Sequence, residues 1–305
     1  MKRHAFPLAI TAVVTALVLS GCGDDEPSNI ADDPASTPES ETSDASPTDA
    51  TTPPTDAPTE SETTGGTTET VTVPVYFVGD TPRGPRLFAE QREVEADNPL
   101  EEAAALMVAG DAADPDYRTL FPEGGGFESI EYDGEKFAVT LRDDAWNTPA
   151  PGMTEAEAKL AVQQLVYTLQ GVEGAEVPIV VLPSGMLFGD APVVGAADEL
   201  STRALVNVLS PAEGATVTDT FTASGEASSF EATVPWQVRD EAGETVLEGF
   251  STAEGYIDGL YPWQAEVDVS ELAPGTYTFV AMTDDPSGGA EGGEPTEDTK
   301  TIVVE

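Results

Sequence analysis

Hydrophobic and polar positions between residues 71 and 182 repeat with two different periods. The stretches 71–78 and 87–94 read as two strands, and Pro74 within the first favours an edge or a bulge. Asn98 and Pro99 then form a helix start. The helix that follows should end at Gly110. Its predicted apolar face comprises Leu100, Ala103, Ala104 and Met107.

A hairpin, a second helix and a last strand follow. The pair Asp133-Gly134 predicts a two-residue turn between strands at 127–132 and 136–142. A capping box, Thr154-Glu155-Ala156-Glu157, opens a helix that Gly171 should close. Residues 177–182 are apolar at every position, as in a strand covered on both faces. This mixture of periods predicts an α+β domain over residues 71–195.

The order strand–helix–hairpin–helix–strand resembles the GerMN domain of sporulation and germination proteins. Three stretches carry the resemblance: Val-Tyr-Phe-Val at 75–78, Ala-Val-Thr-Leu at 138–141 and Gln-Leu-Val-Tyr-Thr-Leu at 164–169. The sequence departs from the family at Pro183-Ser184-Gly185, where an Asp-Gly turn is more usual.

From Leu205 onward the pattern is entirely that of strands. Runs at 205–209, 216–224, 230–239, 244–251, 263–269, 275–283 and 299–304 are separated by turn signals. Seven short strands in about 100 residues predict an antiparallel sandwich over residues 203–305, joined to the first domain by a short connector. Tyr277, Phe279 and Ala281 should face its core.

This second half resembles Gmad2, an immunoglobulin-like module that often follows GerMN domains. The matching stretches are Val-Leu-Ser-Pro at 208–211, Ala-Ser-Gly-Glu-Ala at 223–227, Phe-Glu-Ala-Thr at 230–233 and Gly-Thr-Tyr at 275–277. The fold prediction is therefore a GerMN-like α+β domain followed by an immunoglobulin-like β-sandwich.

The N-terminus has the layout of a secretory signal. Lys2 and Arg3 precede an apolar stretch at 5–20, and the sequence Leu19-Ser20-Gly21-Cys22 follows. This run resembles the lipobox of bacterial lipoproteins, which implies cleavage after residue 21 and lipid attachment to Cys22. Two alternatives stay open: an uncleaved membrane helix over 5–21, and an ordinary thiol at Cys22. The lipobox interpretation predicts an anchor on the outer face of the cytoplasmic membrane.

Residues 22–70 form a linker rich in Pro, Thr, Ser and acidic residues. It contains a single large aliphatic residue, Ile30, and no aromatic side chain or basic residue. Because such a segment buries too little apolar surface to offset its ordering entropy, we predict that it is disordered. It serves either as a stalk that lifts the folded domains off the membrane or as a passive spacer.

Composition restricts the possible functions. The formal net charge is −45, which opposes binding to nucleic acid. The only histidine, His4, lies in the predicted signal, and Cys22 is the only cysteine. A processed chain therefore lacks Ser-His-Asp and Cys-His catalytic sites and the usual zinc ligands, so we predict no catalytic residue, metal or cofactor.

Three groups of residues are nevertheless candidate sites. Asp143-Asp144 beside Trp146 fits either a carboxylate pair for sugar hydrolysis or a solvated loop, which we favour. Asp284-Asp285 and the acidic stretch to Glu297 fit either calcium or, as we prefer, a mobile hairpin tip. The aromatic residues that we expect to form a contact surface are Tyr256, Tyr261 and Trp263, whereas Trp236 is assigned to the core.

The resulting prediction is a non-enzymatic envelope lipoprotein. Its membrane contact is the lipid on Cys22, and its two domains would bind another envelope protein or assemble with themselves. The GerMN and Gmad2 resemblances link it to sporulation and germination. The alternative is a lipoprotein that binds cell-wall glycan or a small ligand.

Overall fold

A computed structural model describes residues 69–285 and 294–305. By contacts, the chain divides into Met1–Thr63 and Thr64–Glu305, and every described residue belongs to the second unit. The predictions for the signal, the lipobox at residues 19–22 and the linker lie outside the described residues, as does most of the acidic stretch after Asp285.

The first domain combines a long hairpin, two helices and a small mixed sheet. Its elements are β1 (Thr70–Thr81), β2 (Gly84–Glu95), α1 (Pro99–Ala109), β3 (Phe127–Tyr132), β4 (Phe137–Leu141), α2 (Glu155–Glu173), β5 (Ile179–Leu182) and β6 (Val193–Val194). Strands β1 and β2 pair with each other, and the other four form a sheet in the order β3-β4-β5-β6. Only β4 and β5 are parallel in that sheet. This architecture confirms the α+β prediction.

The end of α1, the start of α2 and the buried face of α1 are as their sequences predict. Gly110, with a φ of 66°, ends α1, and Thr154 with Glu157 forms the capping box of α2. The buried residues of α1 are the four of its predicted face. Trp146, 1% exposed, packs edge-on against Phe121 in the same core.

Three local predictions in this domain were wrong. The β3–β4 turn has four residues, Asp133–Lys136, because the Asp133 carboxylate accepts hydrogen bonds from two backbone amides of the loop and stabilises a wider turn. Helix α2 continues past Gly171 to Glu173 and ends at Gly174, whose φ is 64°. Strand β5 is covered mainly on one face, since Leu182 is 42% exposed.

The connector between the domains is structured. It contains β6, which pairs with β5, and a short helix, α3 (Glu199–Thr202). The Asp198 carboxylate caps α3 by accepting a hydrogen bond from the Ser201 amide at 3.0 Å. The backbone amide of Ala204 then donates to Leu87 in β2 at 2.9 Å, which ties the start of the second domain to the first.

The second domain is a sandwich of two sheets. Its strands are β7 (Val206–Ser210), β8 (Ala215–Val217), β9 (Thr220–Ala227), β10 (Thr233–Arg239), β11 (Thr245–Thr252), β12 (Tyr261–Asp268), β13 (Gly275–Met282) and β14 (Glu297–Val304). One sheet has the order β11-β10-β13-β14-β8 and the other β12-β9-β7. Phe279 and Ala281 are buried between them, and Tyr277 packs against this core. These observations confirm the predicted sandwich, but it is not wholly antiparallel as predicted, because β8 pairs with β14 in parallel.

The strand boundaries differ from the prediction by more than two residues at two places. The run at 216–224 divides into β8 and β9, because Asp219 adopts a φ of 48° and turns the chain. The run at 230–239 begins with a 3-10 turn, Phe230–Ala232, in which Glu231 and Ala232 also have positive φ, so β10 starts only at Thr233.

Candidate functional site

A buried polar cluster joins the two domains. Lys300 of β14 lies at its centre, 3% exposed, and its ammonium group donates to the carboxylates of Asp114 at 2.5 Å and Asp298 at 3.4 Å. The same ammonium donates to the Tyr117 hydroxyl at 2.9 Å and lies 4.4 Å from the centre of that ring. Asp114 and Tyr117 belong to the first domain, so one lysine of the second domain contacts both halves. We call these residues the Lys300 cluster.

Asn207 extends the Lys300 cluster along the domain boundary through its contact with Asp298. The Asn207 side chain accepts from the Ala89 amide at 2.7 Å and donates to the Asp298 carboxylate at 3.0 Å. The other Asp298 oxygen accepts from the Tyr117 hydroxyl at 2.6 Å. Because buried polar groups are stable only when they are hydrogen-bonded, this chain of partners favours one arrangement of the two domains.

Burial and charge act in opposite directions on the ionisable groups of the cluster. Burial lowers the pKa of Lys300, but Asp298 and Asp114 more than offset it, so the pKa lies above its usual value. Burial raises the pKa of Asp114 against the opposing effect of Lys300. Burial and the neighbouring carboxylates raise the pKa of the Tyr117 hydroxyl well above 10. The cluster thus holds a protonated lysine and a neutral tyrosine at physiological pH.

A second cluster surrounds Arg203, which follows α3. Its guanidinium contacts the Glu226 carboxylate of β9 and lies 3.6 Å from that of Glu199. It also lies 5.2 Å from the ring centre of Tyr76 in β1 and 6.0 Å from that of Tyr167 in α2. Burial is the main factor that raises the pKa of Tyr167, to about 12. Both clusters have the chemistry of an interdomain contact, because their charged groups are engaged with one another.

Apolar side chains protrude from the edge of the five-stranded sheet. Strand β11 is one end of that sheet, and Phe250 on it is 71% exposed, with Val246 exposed on the same face. On the adjoining loops, Ile257 is 70% and Phe230 is 48% exposed. Hydrogen bonds from Ala253 to Ala232 and from Ile257 to Ser228 join these two loops. We call β11 and the exposed Phe230 and Ile257 the β11 surface.

The predicted aromatic contact surface is wrong at Trp263. Trp263 is only 3% exposed, because β12 alternates and turns Trp263, Ala265 and Val267 into the sandwich core. Tyr261 is partly buried against that core and donates to the Asp258 carboxylate at 2.6 Å. Tyr256 is 38% exposed. A buried Trp263 cannot offer its ring to a sugar.

The other sequence candidates do not form a site. Asp143 and Asp144 are both exposed, whereas Trp146 is buried, so the acids and the ring face different environments. Trp236 is partly buried against Phe279, as a core residue. Within residues 69–285 and 294–305, no group of three or more His, Cys, Asp or Glu side chains could hold a metal ion.

Sequence reasoning missed both interdomain clusters, although β14 carried a signal for one of them. Asp298 and Lys300 are in phase with the buried Ile302 and Val304, so the strand pattern placed two charges on an inward face. Buried charges require partners. The identity of those partners depended on contacts between residues more than 180 positions apart, which no local pattern reveals.

Comparison with protein families agrees with this two-domain architecture. Residues 74–181 match the Germane family, described as "Sporulation and spore germination". Residues 205–290 match the Gmad2 family, the "Immunoglobulin-like domain of bacterial spore germination". The chain carries a Germane domain followed by a Gmad2 domain. The GerMN and Gmad2 resemblances drawn from the sequence are thereby confirmed, and neither family description names a catalytic activity.

Three solved structures are only distantly similar to this chain. The tandem GerMN domains of the sporulation protein GerM from Bacillus subtilis have a TM-score of 0.32 and 14% identity, over 67% of this chain and 63% of theirs. CopC from Methylosinus trichosporium OB3b has a TM-score of 0.22 and 19% identity, over 33% of this chain and 93% of its own. A lytic polysaccharide monooxygenase from Jonesia denitrificans has a TM-score of 0.21 and 14% identity, over 31% and 60%. None of these likenesses bears on function.

Two further searches gave negative results. No curated protein matches the sequence significantly. Among the helices in the described part of the chain, none combines the length and the apolar character that a membrane span requires.

Proposed function

We propose that this protein is a non-enzymatic lipoprotein of the cell envelope that presents its Germane and Gmad2 domains for contact with another protein or with a second copy. Cys22 carries the lipid and holds the chain on the outer face of the cytoplasmic membrane. The residues 22–70 form the tether between the lipid and the domains. The descriptions of the two matched families refer to sporulation and spore germination, which supports a role in those processes.

The β11 surface is the observation that supports protein contact. An edge strand leaves one row of backbone N–H and C=O groups open to a further strand. Soluble proteins usually protect such edges with charge or proline, and β11 carries a single charge, Glu248, between the exposed Val246 and Phe250. A partner strand could therefore gain backbone hydrogen bonds and apolar contact at the same place, as in strand-addition complexes.

The interdomain clusters support a presenting role rather than a catalytic one. Lys300 and Arg203 are buried and engaged with carboxylates of the protein itself. A catalytic acid or base must instead reach substrate from a cleft. These groups hold the Germane and Gmad2 domains together, so that β11 has a defined position relative to the first domain.

Membrane anchoring is tested by replacing Cys22 with Ser. The unmodified protein should be found in the membrane fraction, and its N-terminal peptide should carry the mass of a lipidated Cys22. The Cys22→Ser variant cannot form the thioether and should lose the lipid mass and the lipid-dependent retention. Ser20→Thr, which keeps a small residue and the thiol, serves as the matched control. A Cys22 peptide of unmodified mass would contradict the proposal.

A further inference from the structure

An open cleft of about 550 Å³ lies beside the β1–β2 turn. The turn forms one wall, the first turns of α2 form another, and residues 197–202 close the third side. Apolar groups of Pro85, Ala156 and Leu160 line it, and none of its described lining residues is aromatic. This volume is in the range of sites that bind small molecules or short peptide segments.

Two arginines at this cleft have no carboxylate partner among residues 69–285 and 294–305. Ten Lys and Arg residues lie in the described ranges, and eight of them have a carboxylate oxygen within 4.0 Å. The two exceptions are Arg83 on the β1–β2 turn and Arg86 near the start of β2. Because the chain has 57 acidic residues against 12 basic ones, two arginines at one cleft without a carboxylate partner in the described part of the chain indicate that an external anion could bind there.

The turn and the start of β2 place both arginines at the same cleft. Gly84, with a φ of 93°, permits the tight turn, and the Arg86 guanidinium folds back over it while donating to the Pro85 carbonyl at 2.8 Å. Burial, and secondarily the charge of Arg83, lowers the pKa of Arg86. An anion between the two groups would relieve that repulsion.

The acidic groups around the cleft are engaged elsewhere. The Glu157 carboxylate accepts from the Thr154 amide at 2.8 Å and from its hydroxyl at 2.7 Å, as part of the capping box. Glu155 pairs with Lys159 at 2.7 Å. Neither carboxylate is therefore a partner for the arginines, although Glu157 remains a negative charge at the wall.

We propose that this cleft binds a short peptide segment through a carboxylate held between Arg83 and Arg86. Guanidinium groups bind carboxylates through paired hydrogen bonds, and the apolar wall suits small side chains next to that carboxylate. A doubly charged phosphate would be opposed by Glu157 and by the acidity of the whole chain. The absence of an aromatic ring among the described lining residues removes the usual platform for a sugar. This inference is independent of the proposed anchor and of the β11 surface.

The test is a titration of the full chain, labelled with ¹⁵N-arginine and purified in detergent, observed by NMR. The probe is N-acetyl-Ala-Ala with a free carboxylate, and the comparison ligands are its amide and inorganic phosphate. The free carboxylate should shift the Nε–Hε signals of Arg83 and Arg86 saturably, with an affinity at least about tenfold above that of the amide or of phosphate.

Substitutions of the two arginines test whether they form the binding site. Arg83→Gln and Arg86→Gln should each weaken binding about tenfold or more, because each removes one charged hydrogen-bonding group. Lys136→Gln removes an exposed positive charge on the β3–β4 turn and should leave binding unchanged. No saturable shift, equal binding of the amide, tighter binding of phosphate, or equal weakening by Lys136→Gln would each overturn the proposal. Arg83 is exposed, so Arg83→Gln tests the site even if Arg86→Gln impairs folding.

Discussion

Lys300 shows how single residues hold the two domains together. Replacing it with Met would retain much of its apolar contact but leave Asp114 and Asp298 without their cation. Removing one partner of a buried ion pair costs about 3–5 kcal/mol, so Lys300→Met should lower the free energy of unfolding by that amount in urea denaturation. Lys136→Met, in an exposed pair, is the control and should unfold as the wild type does. Equal midpoints for all three proteins would show that the Lys300 cluster adds no stability.

Tyr167 should make stability depend on alkaline pH. Its pKa is raised from 10.0 to about 12 in the folded chain, so the stability that it contributes is complete below pH 10 and is lost as the pH rises through 12. Its hydroxyl also donates to the Ala197 carbonyl at 2.7 Å. Tyr167→Phe should therefore be about 1 kcal/mol less stable at pH 7. The difference from wild type should shrink between pH 10 and 12, and a constant difference would contradict this account.

Trp263 illustrates a residue whose burial the sequence could have predicted. Gln264, Glu266 and Asp268 alternate with it and with Ala265 and Val267, so the period of two already placed the ring inward. Gly255, Gly259 and Pro262 favour a loop just before Trp263, so the local composition and the strand pattern conflict at this position. The exposed side chain at Tyr256 lies before that strand begins.

At the scale of elements, the contact between α2 and β1 depends on Gly171. A Cβ at this position would lie 2.6 Å from Cγ of Pro74, so the helix can approach the strand only through glycine. Although Ala favours helix by about 1 kcal/mol, Gly171→Ala should be destabilising overall by about 1–3 kcal/mol because the ring of Pro74 must move. Thermal denaturation measures this effect.

Gly195 provides the matched control for that substitution. A Cβ there would meet no atom within 4 Å, and its φ is not in the left-handed range, so Gly195→Ala should leave the melting temperature unchanged or slightly raised. A Gly171→Ala variant as stable as wild type would show that α2 and β1 tolerate a wider spacing.

The sequence predicted the elements better than it predicted their ends. Caps with a stated mechanism, such as Thr154 with Glu157, were correct because their hydrogen bonds are local. Gly171 and Gly174 were ambiguous, because both are glycines near a helix end. Only the contact of Gly171 with Pro74, nearly 100 residues earlier in the chain, and the positive φ of Gly174 distinguish them.

At the scale of the whole molecule, domain order could be predicted but the domain interface could not. The patterns and family motifs gave an α+β domain followed by a sandwich, as the family matches confirm. The Lys300 and Arg203 clusters require side chains from both domains, so neither domain's pattern alone identifies them. The cleft beside Arg83 likewise combines the β1–β2 turn, α2 and the connector.

The central claim is that this protein presents the β11 surface to another protein at the membrane. Photocrosslinking in living cells tests it most directly, with a photoreactive amino acid at position 250 and, as control, at the exposed position 128 of the Germane domain. Our account predicts a protein adduct, to a partner or to a second copy, from position 250 but not from 128, and loss of that adduct in Cys22→Ser. No adduct at position 250, or the same adducts from both positions, would contradict it.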